Sequence, residues 1–207
     1  MQGKRACSQT YGADRNVEMT LCQCRHDLRY LVSAVYSLKK LKFADMEHLV
    51  IRPLNNEDAS KAVELILPIQ QIEFNVPVTI DDQPDLLDIE ACYHRTGGCF
   101  WGAFSGGQLV GTIALIVTPD NNGVIRKMFV KKEYRGKEAG IAQRLLNTLI
   151  KYSEHNGVIH LYLGTVEALK AAQRFYERNG FESIPKGNLP KSFPLMAVDT
   201  LFYSRKL

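Results

Sequence analysis

Residues 131–144, KKEYRGKEAGIAQR, gather cations and small residues where a strand-like run gives way to a leucine-rich helical one. Gly136 and Gly140 lack side chains and permit backbone conformations closed to other residues. Ala139 and Ala142 keep the approach narrow, and Lys131, Lys132, Arg135 and Lys137 add positive charge. The first amides of the helix that follows have no internal acceptors and carry the positive end of its dipole. The combination reads as a seat for an anion, above all phosphate. A tight strand-to-helix turn with a solvated basic loop has the same composition, and this stretch alone leaves both readings open. No GxxxxGK[ST] string is present, and Gly136 and Gly140 do not have the spacing of a dinucleotide fingerprint. A phosphate-bearing ligand would have to be held in another way.

Other groups of chemical interest are more scattered. Glu73, Asp81, Asp82, Asp85, Asp88 and Glu90 cluster in and before a helical segment, as proton acceptors or as a solvated face. His94, His155 and His160 read as surface or packing residues, and no Ser/His/Asp or Cys/His order suggests a nucleophile. Cys7, Cys22, Cys24 and His26 lack the paired spacing of zinc ligands, so no metal is expected.

The elements that must position these residues become legible after Met46. HLVIRP is a short strand ended by Pro53. NNEDASKAVELIL opens with asparagine caps and places Ala59, Ala62, Val63 and Ile66 on one helix face. DDQPDLLDIEACYHRTGG predicts a second helix closed by Gly97 and Gly98. CFWGAF and QLVGTIALIVT form a hairpin through Gly106-Gly107, and PDNNG turns the chain into the strand VIRKMFV. Ile141, Ala142, Leu145, Leu146, Leu149 and Ile150 then stripe a helix. A strand VIHLYLGT, a helix EALKAAQRFYER and the strands FESI and LMAVDTLFYS complete the chain. The order predicts an α/β fold on a mixed, largely antiparallel central sheet flanked by helices.

With these elements in place, MFVKKEYRGKEAGIAQRLL, followed some thirty residues on by AAQRFYERNGF, resembles the GNAT superfamily of acyl-CoA N-acyltransferases. The resemblance covers residues 46–207 in element order. It implies acetyl-CoA as co-substrate and a primary amine, on a small molecule or a protein, as acceptor. It also implies that Lys137, Glu138, Ala139, Gly140, Ile141 and Ala142 form the pyrophosphate loop. The strand residues Met128, Phe129 and Val130 would hold the pantetheine arm, and an amide at Met128 or Phe129 would polarise the thioester carbonyl. Tyr176, in the Phe-Tyr pair, takes the position of the acid that protonates the departing thiolate. Glu73 is the candidate base, directly or through water. The motif fits best when it starts at Lys137, which leaves Arg135 and Gly136 in the preceding loop. Leu169 stands where the family often has an asparagine, so one polar contact to the cofactor is missing. A non-catalytic acyl-CoA-binding regulatory module on the same fold is the alternative. The resemblance leaves room for a homodimer.

Bulk composition sets the remaining bounds. No apolar run reaches the ~18 residues of a membrane span, and the first residues have no apolar core of a signal peptide. Neither a membrane nor a nucleic-acid partner is expected. Five cysteines without a disulfide framework read as a reducing, cytoplasmic setting. Residues 1–45 hold 8 Lys and Arg against 4 Asp and Glu, whereas residues 46–207 hold 18 of each. The net charge of +4 therefore belongs to residues 1–45. They read as a basic extension or translated leader whose helical candidate, DLRYLVSAVYSLKKLKF, could touch a membrane or partner or stay poorly ordered. Residues 46–207 read as the acetyltransferase domain. A chain starting at Met46 is expected to keep its melting temperature and its CoA affinity. A large loss of either would show that the amphipathic stretch packs on the domain.

Overall fold

Apolar runs buried on both faces dominate the middle of the chain, and they build a seven-stranded sheet. The computed structural model describes residues 48–207. The amphipathic stretch, Cys7, Cys22, Cys24 and His26 lie outside the described residues. The strands are β1 (Val50–Pro53), β2 (Cys99–Ser105), β3 (Gln108–Val117), β4 (Asn122–Val130), β5 (His160–Thr165), β6 (Glu182–Ile184) and β7 (Leu201–Lys206). Their order is β1-β2-β3-β4-β5-β7-β6, and every neighbouring pair is antiparallel except the parallel pair β4–β5. The expected mixed, largely antiparallel α/β sheet is the one observed.

Local chemistry fixes the turns. Gly106 and Gly107 both have positive φ, 55° and 79°, as a two-residue hairpin turn between right-twisted strands requires. The parallel pair needs a crossover, supplied by α2 (Ile141–His155), while α1 (Ala59–Pro68) follows β1 and α3 (Lys170–Arg178) follows β5. Helix α2 buries Ile141, Leu145, Leu146, Leu149 and Ile150 in one core with Trp101, Ala103, Val110 and Leu115 of β2 and β3. The other face of those strands presents Phe100, Phe104, Leu109 and Ala114 to a second core with Ala62, Leu65 and Ile66 of α1. Period two in the strands and period 3.6 in the helices thus meet on both faces of the sheet.

Two elements differ from expectation. The segment around residues 81–98 is not one helix. It breaks into a short 3-10 turn, Pro84–Leu86, and a widened π turn, Glu90–His94. Polar side chains capture the backbone between them: the Ala91 amide donates to Asp88 Oδ1 (3.0 Å) and the Glu90 amide to Asn56 Oδ1 (3.1 Å). Such side-chain bonds compete with helix propagation. At the other end, the final strand starts only at Leu201. Residues 195–200 form turns, with the Asp199 amide donating to Met196 O (3.2 Å).

Candidate active site

The strands β4 and β5 pair only from Asn122↔His160 to Ile125↔Leu163. Both continue, β4 to Val130 and β5 to Thr165, so the parallel pair opens into a cleft. Its lining includes Arg126, Lys127, Met128 and Phe129 from β4 and Gly164 and Thr165 from β5. Leu169, Ala172 and Tyr176 line it from the side of α3, and Met196, Val198 and Asp199 from the connection before β7. Gln70 and Gln83 close it from the α1 side. A wider open hollow at Asn55, Glu90 and Arg95 holds one of the acids of the segment 81–98, Glu90, away from the cleft.

A bulge marks the point where β4 leaves its partner. The register with β3 shifts between Ala114↔Arg126 and Thr112↔Phe129, so three steps along β4 oppose two along β3. Lys127 sits in this bulge with φ 52°, a conformation rare for a residue with a Cβ. Its backbone oxygen accepts from Thr112 Oγ1 (2.7 Å). Its side chain is 3% exposed, and its ammonium reaches Gln83 Oε1 (2.6 Å) and Asp85 Oδ1 (3.2 Å). Asp85 also accepts from the Tyr93 hydroxyl, and Gln83 donates to Gln70 (3.0 Å). Burial lowers the Lys127 ammonium to about 8, although Asp85 pulls the other way. Asp85 is thus a buried partner and not part of a solvated acidic face.

Tyr176 stands on α3 with its ring 5.4 Å from Phe181 and 5.6 Å from Phe175. Its hydroxyl lies 3.3 Å from Met128 Sδ. Burial pushes the phenol well above its ordinary range, so it stays protonated at neutral pH. Leu169 is the N-cap of α3 and gives no side-chain cap.

The glycine-bearing stretch becomes the entry to α2. Gly140 is the N-cap with φ 60°, and its amide donates to Gly136 O (3.1 Å). The first turn of α2 closes with the Arg144 amide on Gly140 O (2.9 Å), so the amides of Ile141, Ala142 and Gln143 precede any intrahelical acceptor. Lys137, Glu138 and Ala139 lead into that cap. Arg135 faces another way: its Nε donates to Val130 O (2.7 Å), and its guanidinium grips both oxygens of Glu73. The loop is thereby tied to the π turn Ile69–Glu73. Arg135 holds the Glu73 carboxyl below its usual range, which weakens Glu73 as a proton acceptor. Glu73 is also absent from the residues lining the cleft.

Arg126 and Asp199 were not singled out from the sequence, and both line the cleft. The Arg126 guanidinium faces Pro194 O (3.5 Å) and Met196 Sδ (2.6 Å). Asp199 lies in what reads as strand but folds as turn, so alternation gave no cue to its position. Cys92 and Cys99 are unpaired, and burial raises the Cys99 thiol to about 12. Among the described residues no cluster suits a metal ion, and no helix is long and apolar enough to cross a membrane.

Known proteins share this fold. The sequence pattern of the acetyltransferase (GNAT) family matches residues 63–181. An N-acetylaspartate synthetase from Danio rerio is 40% identical over 102 residues, 48% of this chain and 36% of that protein. The match therefore spans little more than a third of that relative's length. A GNAT-family acetyltransferase from Staphylococcus aureus superposes with a TM-score of 0.74 at 40% identity, over 76% of this chain and 98% of that one. An N-acetyltransferase from Thermoplasma acidophilum, solved in complex with coenzyme A, shares the fold at a TM-score of 0.60 and 20% identity, over 77% and 99% of the two chains.

The Lys127 environment has a consequence for stability. Its folded value is below the ordinary 10.5, so between about 8 and 10.5 the unfolded chain binds more protons than the folded one. The Lys127 contribution to stability therefore rises with pH across that window and is lost as pH falls through 8. Urea unfolding of wild type and Lys127→Met at pH 8 and at pH 10.5 checks this. The difference in stability between the two proteins is expected to shift in favour of wild type as pH rises.

Proposed function

Because the chain belongs to the GNAT family of acetyltransferases, we propose that it transfers an acetyl group from acetyl-CoA to a primary amine by direct attack of the amine on the thioester. The observation that carries this reading is the cleft where β4 parts from β5, with Tyr176 on its wall. Residues Arg126 to Val130 have no partner in β5. That free edge suits the amide-bearing pantetheine arm, taken up as an added strand. Met128, Phe129 and Val130 are its contacts, and an amide at Met128 or Phe129 polarises the thioester carbonyl. Beyond β4, the unpaired amides at the start of α2 take the pyrophosphate, with Lys137, Glu138, Ala139, Gly140, Ile141 and Ala142 around them. Arg135 is engaged by Glu73 and Val130, so Lys131 and Lys137 supply the nearby positive charge.

Tyr176 is the general acid. Its buried phenol holds its proton until a thiolate develops beside it. The acceptor enters from the side of Gln70, Arg126 and Met196. The Danio rerio relative is named for N-acetylaspartate, and Arg126 suits an acceptor that carries a carboxylate as well as the amine. The unpaired thiols Cys92 and Cys99 fit a reducing, cytoplasmic setting. Residues 46–207 are the catalytic domain on this reading.

Two variants test it. Gly140→Asp finds open space for its Cβ, whose nearest neighbour is Lys137 O at 3.7 Å. It sets a carboxylate against the pyrophosphate. A side chain at φ 60° is strained, so the melting temperature is expected to fall, and by a similar amount in the uncharged Gly140→Asn. Calorimetry is expected to show much weaker CoA binding in the aspartate variant than in the asparagine one, and equal affinity in the two would move the seat elsewhere. Tyr176→Phe keeps the ring and removes the hydroxyl. Single-turnover thiol release is expected to slow by roughly 10²–10⁴-fold, with CoA affinity intact. Wild-type rates in that variant would assign Tyr176 to packing. Wild type that binds CoA but releases no thiol with any amine would favour the regulatory module.

A further inference from the structure

Direct attack needs a neutral amine, and amines are ammonium ions at neutral pH. A proton acceptor must therefore reach the cleft. Glu73 is held by Arg135, and Asp85 by Lys127 and Tyr93. Asp199 is differently placed. It lines the cleft together with Tyr176, Met128 and Arg126. Its carboxylate lies directly over Gly164 of β5: a Cβ built on Gly164 would fall 2.2 Å from Asp199 Oδ2 and 2.5 Å from Cγ. A glycine is thus required there for the carboxylate to occupy that position. The turn that carries Asp199 is fixed by its amide on Met196 O and by Thr200 N on Thr165 O (2.9 Å). We propose that Asp199 is the general base that takes the proton from the acceptor ammonium.

The proposal rests on the acetyltransferase reading and adds a residue that the resemblance did not supply. Charged and titratable groups on the cleft wall are Arg126 and Lys127 from β4 and Tyr176 from α3. Lys127 is already paired with Asp85. Burial pushes the Asp199 carboxyl up and the charge of Arg126 pulls it down. A carboxylate of raised basicity is better matched to an ammonium than an ordinary one. The proton balance closes. Asp199 accepts one proton from the ammonium and later passes it to water. The free amine forms the C–N bond and the C–S bond breaks. Tyr176 gives its proton to the sulfur and is refilled by the second proton that leaves the nitrogen. Arg126 would hold an acceptor carboxylate while Asp199 faces the ammonium.

The test uses the full chain, saturating acetyl-CoA and single-turnover thiol release between pH 6 and 10. L-Aspartate, a polyamine and a lysine-bearing peptide serve as acceptors, and the most active is then compared with a less basic analogue. Asp199→Asn is expected to slow the reaction about 10²–10⁴-fold at pH 7. The remaining rate should climb with pH as the amine deprotonates by itself, and the less basic analogue should recover most of the loss. CoA affinity should be unchanged, and the melting temperature no lower than wild type, because a buried charge has been removed. An unaltered rate and pH profile would overturn the proposal. So would a loss equal at every pH and for both amines, since that is what misplaced packing produces. If Asp199→Asn does not fold, Gly164→Ala displaces the carboxylate without removing it and should give the same pH signature; a wild-type profile there overturns the base. Wild type that acetylates none of the acceptors overturns the acetyltransferase reading and the base together. Turnover in wild type with an indifferent Asp199→Asn overturns the base alone.

Discussion

Four residue pairs of parallel sheet, Asn122↔His160 to Ile125↔Leu163, hold the two halves of this fold together and then let them part. A parallel pair cannot be joined by a hairpin, so the chain must leave β4, cross the sheet and return. That crossover is α2, and its first turn is where helix amides are unpaired. The parting of the strands leaves one edge of β4 without a sheet partner beside the buried face of α3. A free strand edge, the unpaired amides of a helix start and a phenol thus become neighbours along one path of the chain. Longer pairing between β4 and β5 would close the cleft.

The bulge at Lys127 is the adjustment that this parting needs. It re-aims β4 at the point where it loses its neighbour, and a residue with positive φ must sit there. Lysine accepts that conformation because its side chain is held from the far side. Its ammonium is buried against Asp85 and Gln83, which are held in turn by Tyr93 and Gln70. A buried ion pair is a costly device unless its remaining hydrogen bonds are met, and here partners from the three turns after α1 meet them. The network joins the turns after α1 to the strand that lines the cleft.

Most of the regular structure was legible in the sequence because apolar periodicity encodes it. The α2 stripe from Ile141 to Ile150 and the Gly106-Gly107 hairpin are local signals. The loop into α2 is expected from the glycines themselves, and Gly140 is indeed its N-cap with φ 60°. What stayed hidden depends on partners distant in the chain. The segment 81–98 has helical composition, yet Asn56, more than thirty residues away, captures the Glu90 amide and holds the Asp88 carboxylate that captures the amide of Ala91. Glu73 stood out as a carboxylate near the expected acceptor wall, and nothing local announces that Arg135, 62 residues away, grips it. Asp199 sits within LMAVDTLFYS, an apolar stretch that reads as strand throughout, although its first half turns over the cleft.

The two sides of the cleft are built from different material. One side is a strand, a glycine loop and a helix start, which on the proposed reading would meet the donor mainly through backbone groups, with Tyr176 and the nearby lysines added. The other side is made of π turns, short 3-10 turns and the 185–200 connection, which on that reading would meet the acceptor through side chains. Substitutions in those connections can exchange one acceptor for another without disturbing a backbone ladder. If side chains there choose the acceptor, divergence between this chain and its relatives is expected to concentrate in residues 69–94 and 185–200.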